Sequence, residues 1–135
     1  MNVDDQATAM MHGTMPFAAE LGVEVLRGDA EEVRGRLAWA ESRCTAGGAL
    51  HGGVIMSLAD ATGGLCAFLN LPEGSSGTTT IESKTNFLRA LREGYATAVS
   101  RPLHRGRRIV VIETDVLDDR DKLVARVTQT QAVLS

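Results

Sequence analysis

The sequence predicts an α+β domain in which a curved antiparallel sheet of five to six strands surrounds one long central helix. Three observations support this prediction: a strand hairpin comes first, one long apolar helical run follows, and four strand-like runs joined by short turns come last. A sheet that has a single buried helix to cover it is expected to curl around that helix. We expect the 135 residues to form one domain with a hydrophobic core of its own.

The segment before the central helix is predicted to contain a short helix and two strands. Residues 1–15 are rich in Met and Ala, and we expect them to be loosely ordered. The short helix is predicted over about 15–21, and the strands over 22–27 and 32–40. In the second strand the apolar side chains recur at every other position, which is the period of a half-exposed strand.

The central helix is predicted to follow the glycine-bearing connection at 41–52 and to end near Asn70, just before Pro72. Apolar residues surround it on nearly all sides, so we expect it to be buried. The sheet is expected to keep an exposed edge and a face that one helix cannot cover, which favours oligomerisation. The four strand-like runs that follow are Thr78–Leu88, Tyr95–His104, Arg108–Leu117 and Leu123–Leu134.

Charge and composition argue against several functional classes. The net charge of −3 provides no global basic field for nucleic acid or an anionic membrane. The acidic start of the chain predicts no secretory signal, and Asp60 with four glycines in the run 52–71 argues against a membrane span. Cys44 and Cys66 form neither a disulfide framework nor a metal-ligand spacing. We therefore expect a soluble, cytoplasmic protein without a metal site.

Asp60 is the only charged residue between His51 and Glu73, in the most apolar segment of the chain. A carboxylate is expensive to bury without a partner, so this one is expected to have a function. Residues 51–53, His-Gly-Gly, lie at the start of the helix, where unpaired backbone N–H groups favour a negative oxygen. A carboxylate two turns from such a helix end suits acyl transfer. Helical spacing places Asp60 on one face with Gly53, Met56, Ser57, Gly63, Gly64 and Ala67.

Structural explanations remain open for each of these residues. A small-residue helix face also suits tight packing, with Asp60 as a polar anchor paired with an arginine. His51 could be a structural histidine. Cys44 lies near His51 in sequence, but no third group is evident that would orient a thiol nucleophile. Cys66 is most simply a core residue.

A basic turn over residues 101–108 is the second candidate site. It concentrates four arginines and a histidine in an otherwise acidic protein. Arginine side chains suit phosphate oxygens, and Gly106 leaves the backbone open to a ligand. The alternative is a solvated hairpin, which is the common role of such charge runs.

The segment His51-Gly52-Gly53 followed by Leu58-Ala59-Asp60 resembles the corresponding segment of hotdog-fold acyl-CoA thioesterases. The resemblance extends over about residues 17–134 and includes the strand at 80–87 and the turn at 102–107. The group it resembles contains the phenylacetate-pathway, 4-hydroxybenzoyl-CoA and 1,4-dihydroxy-2-naphthoyl-CoA thioesterases. The resemblance implies a hotdog fold and a homodimer with a continuous sheet and active sites at the dimer interface. It also implies a dimer-of-dimers tetramer.

The resemblance implies roles for individual residues. Asp60 would be the nucleophile or general base, and the Gly52 backbone N–H would polarise the thioester carbonyl. His51 would position the thioester, and Thr80, from the other subunit, would lie near the attacking water. Coenzyme A would enter as part of the acyl-CoA substrate, with no separate cofactor. The substrate and coenzyme A contacts are expected from Gly53, Thr45, Glu82, His104, Arg105, Gly106, Arg107 and Arg108.

Two positions depart from the family pattern, and both concern the orientation of the water. Thr45 stands where many relatives carry Asn or Gln, and Gly64 stands where some carry Ser or Thr. Alternation along the strand places Glu82 and Asn86 on the face of Thr80, so either could compensate. Glu82 could equally be a structural partner of an arginine.

Two other functions remain open because a fold does not determine a function. One is a non-catalytic acyl-CoA-binding hotdog domain, and the other is a hotdog dehydratase or hydratase, which uses a histidine with an acid. A carboxylate at position 60 of an apolar helix favours the thioesterase.

Overall fold

A hairpin, a long helix and four further strands follow one another along the chain, as the sequence predicts. The computed structural model describes all residues from Met1 to Ser135. Two short 3-10 turns connect the hairpin to the long helix. The elements are α1 (Asp5–Thr14), α2 (Pro16–Leu21), β1 (Glu24–Gly28), β2 (Val33–Ala38), α3 (Gly52–Leu69), β3 (Gly77–Phe87), β4 (Tyr95–Arg105), β5 (Ile109–Leu117) and β6 (Leu123–Leu134).

The six strands form one antiparallel sheet in the order β1-β2-β4-β5-β6-β3, and α3 packs against five of them. The predicted α+β fold with a central helix is therefore confirmed. The alternation predicted for the second strand is also observed, because Val33, Gly35 and Leu37 are buried and their neighbours are half-exposed. This order leaves β1 and β3 at the two edges of the sheet.

Only one side of α3 is covered by the sheet. By length and composition α3 alone could cross a membrane, but half of its residues are buried, which is typical of a core helix. The expectation of burial on nearly all sides is wrong for the single chain, because Met56 and Phe68 are exposed. Asp60 lies on this same uncovered side. The fold thus presents the carboxylate at the surface of the protomer.

The first fifteen residues, for which we expected loose order, contain helix α1. Asp4 caps this helix by accepting a hydrogen bond from the Ala7 N–H at 2.9 Å. Met11 is fully buried in the core, and the His12 ring contacts the Val23 carbonyl at 2.6 Å. An N-cap followed by good helix formers favours the helix, and burial of Met11 holds it on the domain.

A buried ion cluster joins the β1–β2 turn to β4. The Glu32 side chain is only 7% exposed and pairs with Arg34, with Arg101 at 2.7 Å and with Arg27 at 3.3 Å. Although burial alone would raise it, the Arg34 and Arg101 guanidiniums hold the pKa of Glu32 below its ordinary value. Arg101 therefore has a structural partner, which separates it from the other arginines of the basic turn.

Replacing Glu32 with Gln is expected to lower the free energy of unfolding by about 1 to 3 kcal/mol at pH 7, because hydrogen bonds to a charged acceptor are lost. Since the pKa of Glu32 is lowered on folding, its contribution is fully present above the ordinary value of 4.5 and is lost as the pH falls through the lowered value. Urea unfolding at one fixed protein concentration should show the difference from wild type narrowing below pH 4.5. If the variant and the wild type differed in unfolding free energy by the same amount at pH 7 and below pH 4.5, this account would be contradicted.

Candidate active site

Asp60 lies where two clefts meet on the uncovered side of α3. One cleft, of about 460 Å³, extends toward the end of the helix past Gly64 and Phe68 to Thr78. The other, of about 480 Å³, extends toward the start of the helix past Met56. Asp60 and Met15 line both clefts. The expected buried carboxylate is thus exposed in the single chain, at a junction that can receive a ligand with two arms.

Hydrogen bonds hold one oxygen of Asp60 and leave the other free. Oδ1 accepts from Gln129 Nε2 at 2.7 Å and from Thr80 Oγ1 at 3.4 Å. Gln131 Nε2 in turn donates to Thr80 Oγ1 at 2.7 Å, so the threonine hydroxyl proton is directed at Asp60. Oδ2 has no hydrogen-bond partner within the chain and is available to a substrate or a water molecule.

Thr80 belongs to the same chain as the Asp60 that it contacts. We expected it to come from the other subunit, but β3 pairs with β6 of its own sheet, and Thr80 lies opposite Gln131. This pairing turns Thr80 toward α3. Each protomer therefore carries its own carboxylate together with the three side chains that contact or orient it.

A β-bulge at Ile81 changes which side chains follow Thr80 toward the site. Thr80 is paired with Gln131, but Glu82 is paired with Thr130, on the opposite face of the sheet. The alternation that placed Glu82 and Asn86 beside Thr80 is therefore broken, and neither faces Asp60. Ser83 takes the expected place of Glu82 and lines the cleft toward the helix start.

The start of α3 presents one free backbone donor. The Gly52 N–H has no hydrogen-bond acceptor within the chain. The Gly53 N–H, by contrast, donates to His51 Nδ1 at 2.8 Å, so His51 is the N-cap of α3. Because Nδ1 accepts, the neutral His51 ring carries its proton on Nε2. Gly52 is thus the group at this helix end that is free to bind an oxyanion.

The free donor and the carboxylate of one chain do not share a site. Asp60 lies eight positions after Gly52, which corresponds to about 12 Å along the helix axis. Gly52 lines a different cleft, with Phe87 and Leu88, and Asp60 is absent from that cleft. A reacting carbonyl must lie about 3 Å from both its donor and its nucleophile, so one chain does not complete the arrangement.

The small-residue face predicted around Asp60 is divided between two surroundings. Gly63 and Ala67 are buried against the sheet, whereas Gly53, Ser57 and Gly64 remain beside the clefts. A Cβ atom at Gly64 would lie 3.8 Å from the methyl group of Met15, which is an ordinary contact distance, so this position has room for a Cβ atom beside the N-terminal helices. Thr45 is exposed in the loop before α3 and lines neither of the two clefts that contain Asp60.

The basic turn has two arginines without ion-pair partners. Arg105 reaches Glu31 at 3.5 Å, whereas Arg107 and Arg108 are exposed and form no salt bridge. They line a cleft of about 420 Å³ with residues 72–75 and 133–135. Its wall includes Leu134, which is paired with Gly77 at the end of the Asp60 cleft. His104 and Gly106 lie in this turn, where a Cβ atom at 106 would clash with the Ile109 carbonyl at 2.7 Å.

Neither cysteine has the surroundings of a nucleophile. Burial raises the pKa of the Cys66 thiol to about 11, so this thiol stays protonated near neutral pH. Cys44 directs its sulfur at the carbonyl oxygens of Ala40 and Gly48. These contacts agree with the structural interpretation of both residues.

Sequence reasoning did not identify the polar side chains of β6. Gln129 and Gln131 are almost fully buried and reach Asp60 directly or through Thr80. A signal was present, because both occupy the inward positions of an alternating strand where apolar residues are expected. Met15 and Phe17, which line the clefts from the N-terminal helix region, were also missed.

The fold and the site together define a hotdog domain with a carboxylate on its central helix and a free backbone donor at the start of that helix. The family model of the thioesterase superfamily matches residues 47–125, which is more than half of the chain. The chain therefore belongs to the thioesterase superfamily. Its general activity is thioester hydrolysis.

Named relatives agree with this assignment. The 1,4-dihydroxy-2-naphthoyl-CoA hydrolase of Escherichia coli is 33% identical over 87 residues, which are 64% of this chain and 63% of that protein. A thioesterase from Haemophilus influenzae superposes with a TM-score of 0.88 at 25% identity, covering 100% of this chain and 92% of that one. A thioesterase variant from Pseudomonas aeruginosa gives a TM-score of 0.86 at 26% identity, covering 94% of this chain and 93% of that one.

Proposed function

We propose that the protein hydrolyses acyl-CoA or aroyl-CoA thioesters to the free acid and coenzyme A, with Asp60 as general base or nucleophile. The observation that carries the proposal is the position of Asp60 at the junction of two clefts, with Oδ1 held and Oδ2 free. A thioester has an acyl arm and a pantetheine arm that meet at the reacting carbonyl. Two clefts that meet at a carboxylate match that shape.

The surroundings of the clefts suggest which arm each receives. The cleft toward the helix start is lined by apolar groups that include Phe17, Leu21 and Met56, and it suits the acyl or aroyl group. The cleft toward the helix end reaches Gly77, which is paired with a residue of the arginine cleft. We assign the pantetheine arm to this side and the coenzyme A phosphates to Arg107 and Arg108.

The proposed reaction needs a proton acceptor and an oxyanion donor. As general base, Asp60 Oδ2 removes a proton from water while the water oxygen bonds to the thioester carbon. The carbonyl oxygen becomes an oxyanion, which a free backbone N–H stabilises. Collapse of the intermediate breaks the C–S bond and releases the coenzyme A thiolate, which takes up the proton. As nucleophile, Asp60 would instead form an anhydride that water hydrolyses.

We propose that the active protein is a homodimer with shared sites, because one chain does not bring Gly52 to Asp60. The edge strand β3 is exposed over residues 79–84, and Ile81 at its centre is 62% exposed. Pairing of two such edges would bury this strand and the exposed apolar residues of α3. A pairing that sets Gly52 of the partner subunit opposite Asp60 would complete the site. A dimer-of-dimers tetramer and a cytoplasmic location remain predictions from the sequence.

Release of free thiol from a panel of acyl- and aroyl-CoA esters tests the proposal. We expect turnover of at least one ester, and the preferred acyl group would define the specificity of the apolar cleft. Absence of turnover with every ester, together with measurable binding of the esters, would instead favour the non-catalytic acyl-CoA-binding domain. Conversion of an enoyl-CoA to its hydroxyacyl product would favour a hydratase.

Replacing Arg107 with Ala is expected to raise KM for coenzyme A esters about 5-fold to 10-fold with little change in kcat, because one charge-assisted phosphate contact is lost. A pantetheine thioester that lacks the nucleotide should show no such change. Steady-state kinetics at one fixed ionic strength provide the measurement, since salt screens exposed arginine contacts. Arg120→Ala, in the exposed turn after β5, is the matched control. Equal changes for both substrates would remove the phosphate-binding role.

A further inference from the structure

We infer that Gln129 is a positioning residue that fixes the catalytic carboxylate of Asp60, and that Gly63 provides the space in which it does so. The inference rests on the proposed function and adds residues that the sequence pattern does not reveal. Gln129 is 69 positions from Asp60 in the chain, yet its Nε2 donates to Asp60 Oδ1 at 2.7 Å. The hydrogen bond from Gln129 is the shorter of the two that Asp60 accepts.

Gln129 is fully buried, and only one end of its amide is satisfied. Its Nε2 faces Asp60, whereas its Oε1 has no hydrogen-bond partner. A buried acceptor without a donor opposes folding, so the amide is not explained by stability alone. The negative charge of Asp60 explains the orientation, because a flipped amide would place Oε1 against the carboxylate.

Gly63 lets the amide reach the carboxylate from beneath the helix. A Cβ atom at this position would lie 2.0 Å from Gln129 Oε1 and 3.1 Å from its Cδ. Any side chain at 63 would therefore displace the amide. Glycine within a helix is unfavourable relative to alanine, which indicates that the space itself is what this position supplies. Gly63 and Gln129 thus form one complementary pair between α3 and β6.

The consequence for catalysis is a carboxylate with one permitted orientation. Gln129 and Thr80 both bind Oδ1, and Gln131 orients the Thr80 hydroxyl. Oδ2 is then directed away from these donors and remains free for water or substrate. Gln129 thus acts on the carboxylate directly, whereas Gln131 acts on it through Thr80. Gln129 acts through Asp60 and does not need to touch the substrate.

Gln129→Met tests the inference, because methionine has a similar length and fills the same space without polar atoms. We expect kcat to fall about 10-fold to 100-fold, since a loosened reacting group costs rate at this scale. KM should change by less than about 3-fold, because Gln129 lines neither cleft and substrate binding therefore loses no contact. The urea midpoint of unfolding should be unchanged or higher, since an unsatisfied buried oxygen is removed.

Thr128→Val is the matched control, because Thr128 lies one position away on the opposite face of β6. It should leave kcat, KM and the unfolding midpoint unchanged. A Gln129→Met variant with wild-type kcat would overturn the inference alone, and so would a loss of rate accompanied by an equal loss of folded protein. Absence of turnover in the wild type would overturn the proposed function and this inference together.

Discussion

Replacing Asp60 with Asn is expected to reduce thioester hydrolysis by about 1,000-fold or more, which is the largest effect we predict. General base catalysis by a positioned side chain contributes on the order of 10² to 10⁴ in rate, and a nucleophile contributes more when it is removed. The asparagine side chain has the same shape but neither accepts a proton at neutral pH nor forms an anhydride. Thiol release from the preferred coenzyme A ester is the measurement.

Folding and substrate binding should survive this replacement. Asp60 is exposed in the single chain, and an asparagine oxygen can still accept the hydrogen bond from Gln129. We therefore expect an unchanged circular dichroism spectrum and an affinity for coenzyme A close to that of the wild type. Asp115→Asn is the matched control, because Asp115 pairs with Arg126 through an exposed ion pair on β5 and β6. Wild-type turnover by the Asp60→Asn variant would exclude Asp60 from the mechanism.

The sequence predicted the regular elements well because each has a strong period. The four strands after the helix begin and end within one residue of their predicted limits, and α3 ends one residue before Asn70. The bulge at Ile81 was not predictable, because an inserted residue is visible only against the partner strand. That single residue moved Glu82 away from the site and brought Ser83 to it.

The candidate site was predicted in part, for a related reason. Asp60 and Gly52 lie in one motif, so the local sequence contains both. The contact of Gln129 with Asp60 joins distant parts of the chain, and it depends on the order of the strands in the sheet. Whether Asp60 is exposed depends on what packs against the uncovered side of α3. The sequence of one chain does not contain that information. Local chemistry is therefore readable from the sequence, whereas long-range packing is not.

Replacing Gly52 with Pro is expected to lower kcat by about 100-fold to 1,000-fold, which is the usual cost of removing one oxyanion donor. Proline removes the free N–H and suits the first position of a helix, where that N–H has no intrahelical acceptor. His51 already has φ −60° and ψ 134°, which is the backbone region that a residue before proline prefers. The variant should therefore fold while losing the donor.

Gly52→Ala separates the loss of the donor from steric effects. A Cβ atom at 52 would lie 3.0 Å from the tip of the Phe87 ring, which is exposed and can move. Alanine and proline both introduce this contact, but alanine keeps the N–H. We expect Gly52→Ala to retain activity within about 10-fold of the wild type, since no donor is lost. Equal losses in both variants would assign the effect to crowding and remove the oxyanion role of Gly52.

The two inactive variants together reveal whether a site is shared between subunits. In a mixed dimer of Asp60→Asn and Gly52→Pro chains, a shared site can combine the intact Gly52 of one chain with the intact Asp60 of the other. One of the two sites is then restored, and random pairing makes half of all dimers mixed, so co-expressed variants should recover about a quarter of wild-type activity. Sites contained within single chains would recover none. The separation of about 12 Å between Gly52 and Asp60 along one helix favours recovery.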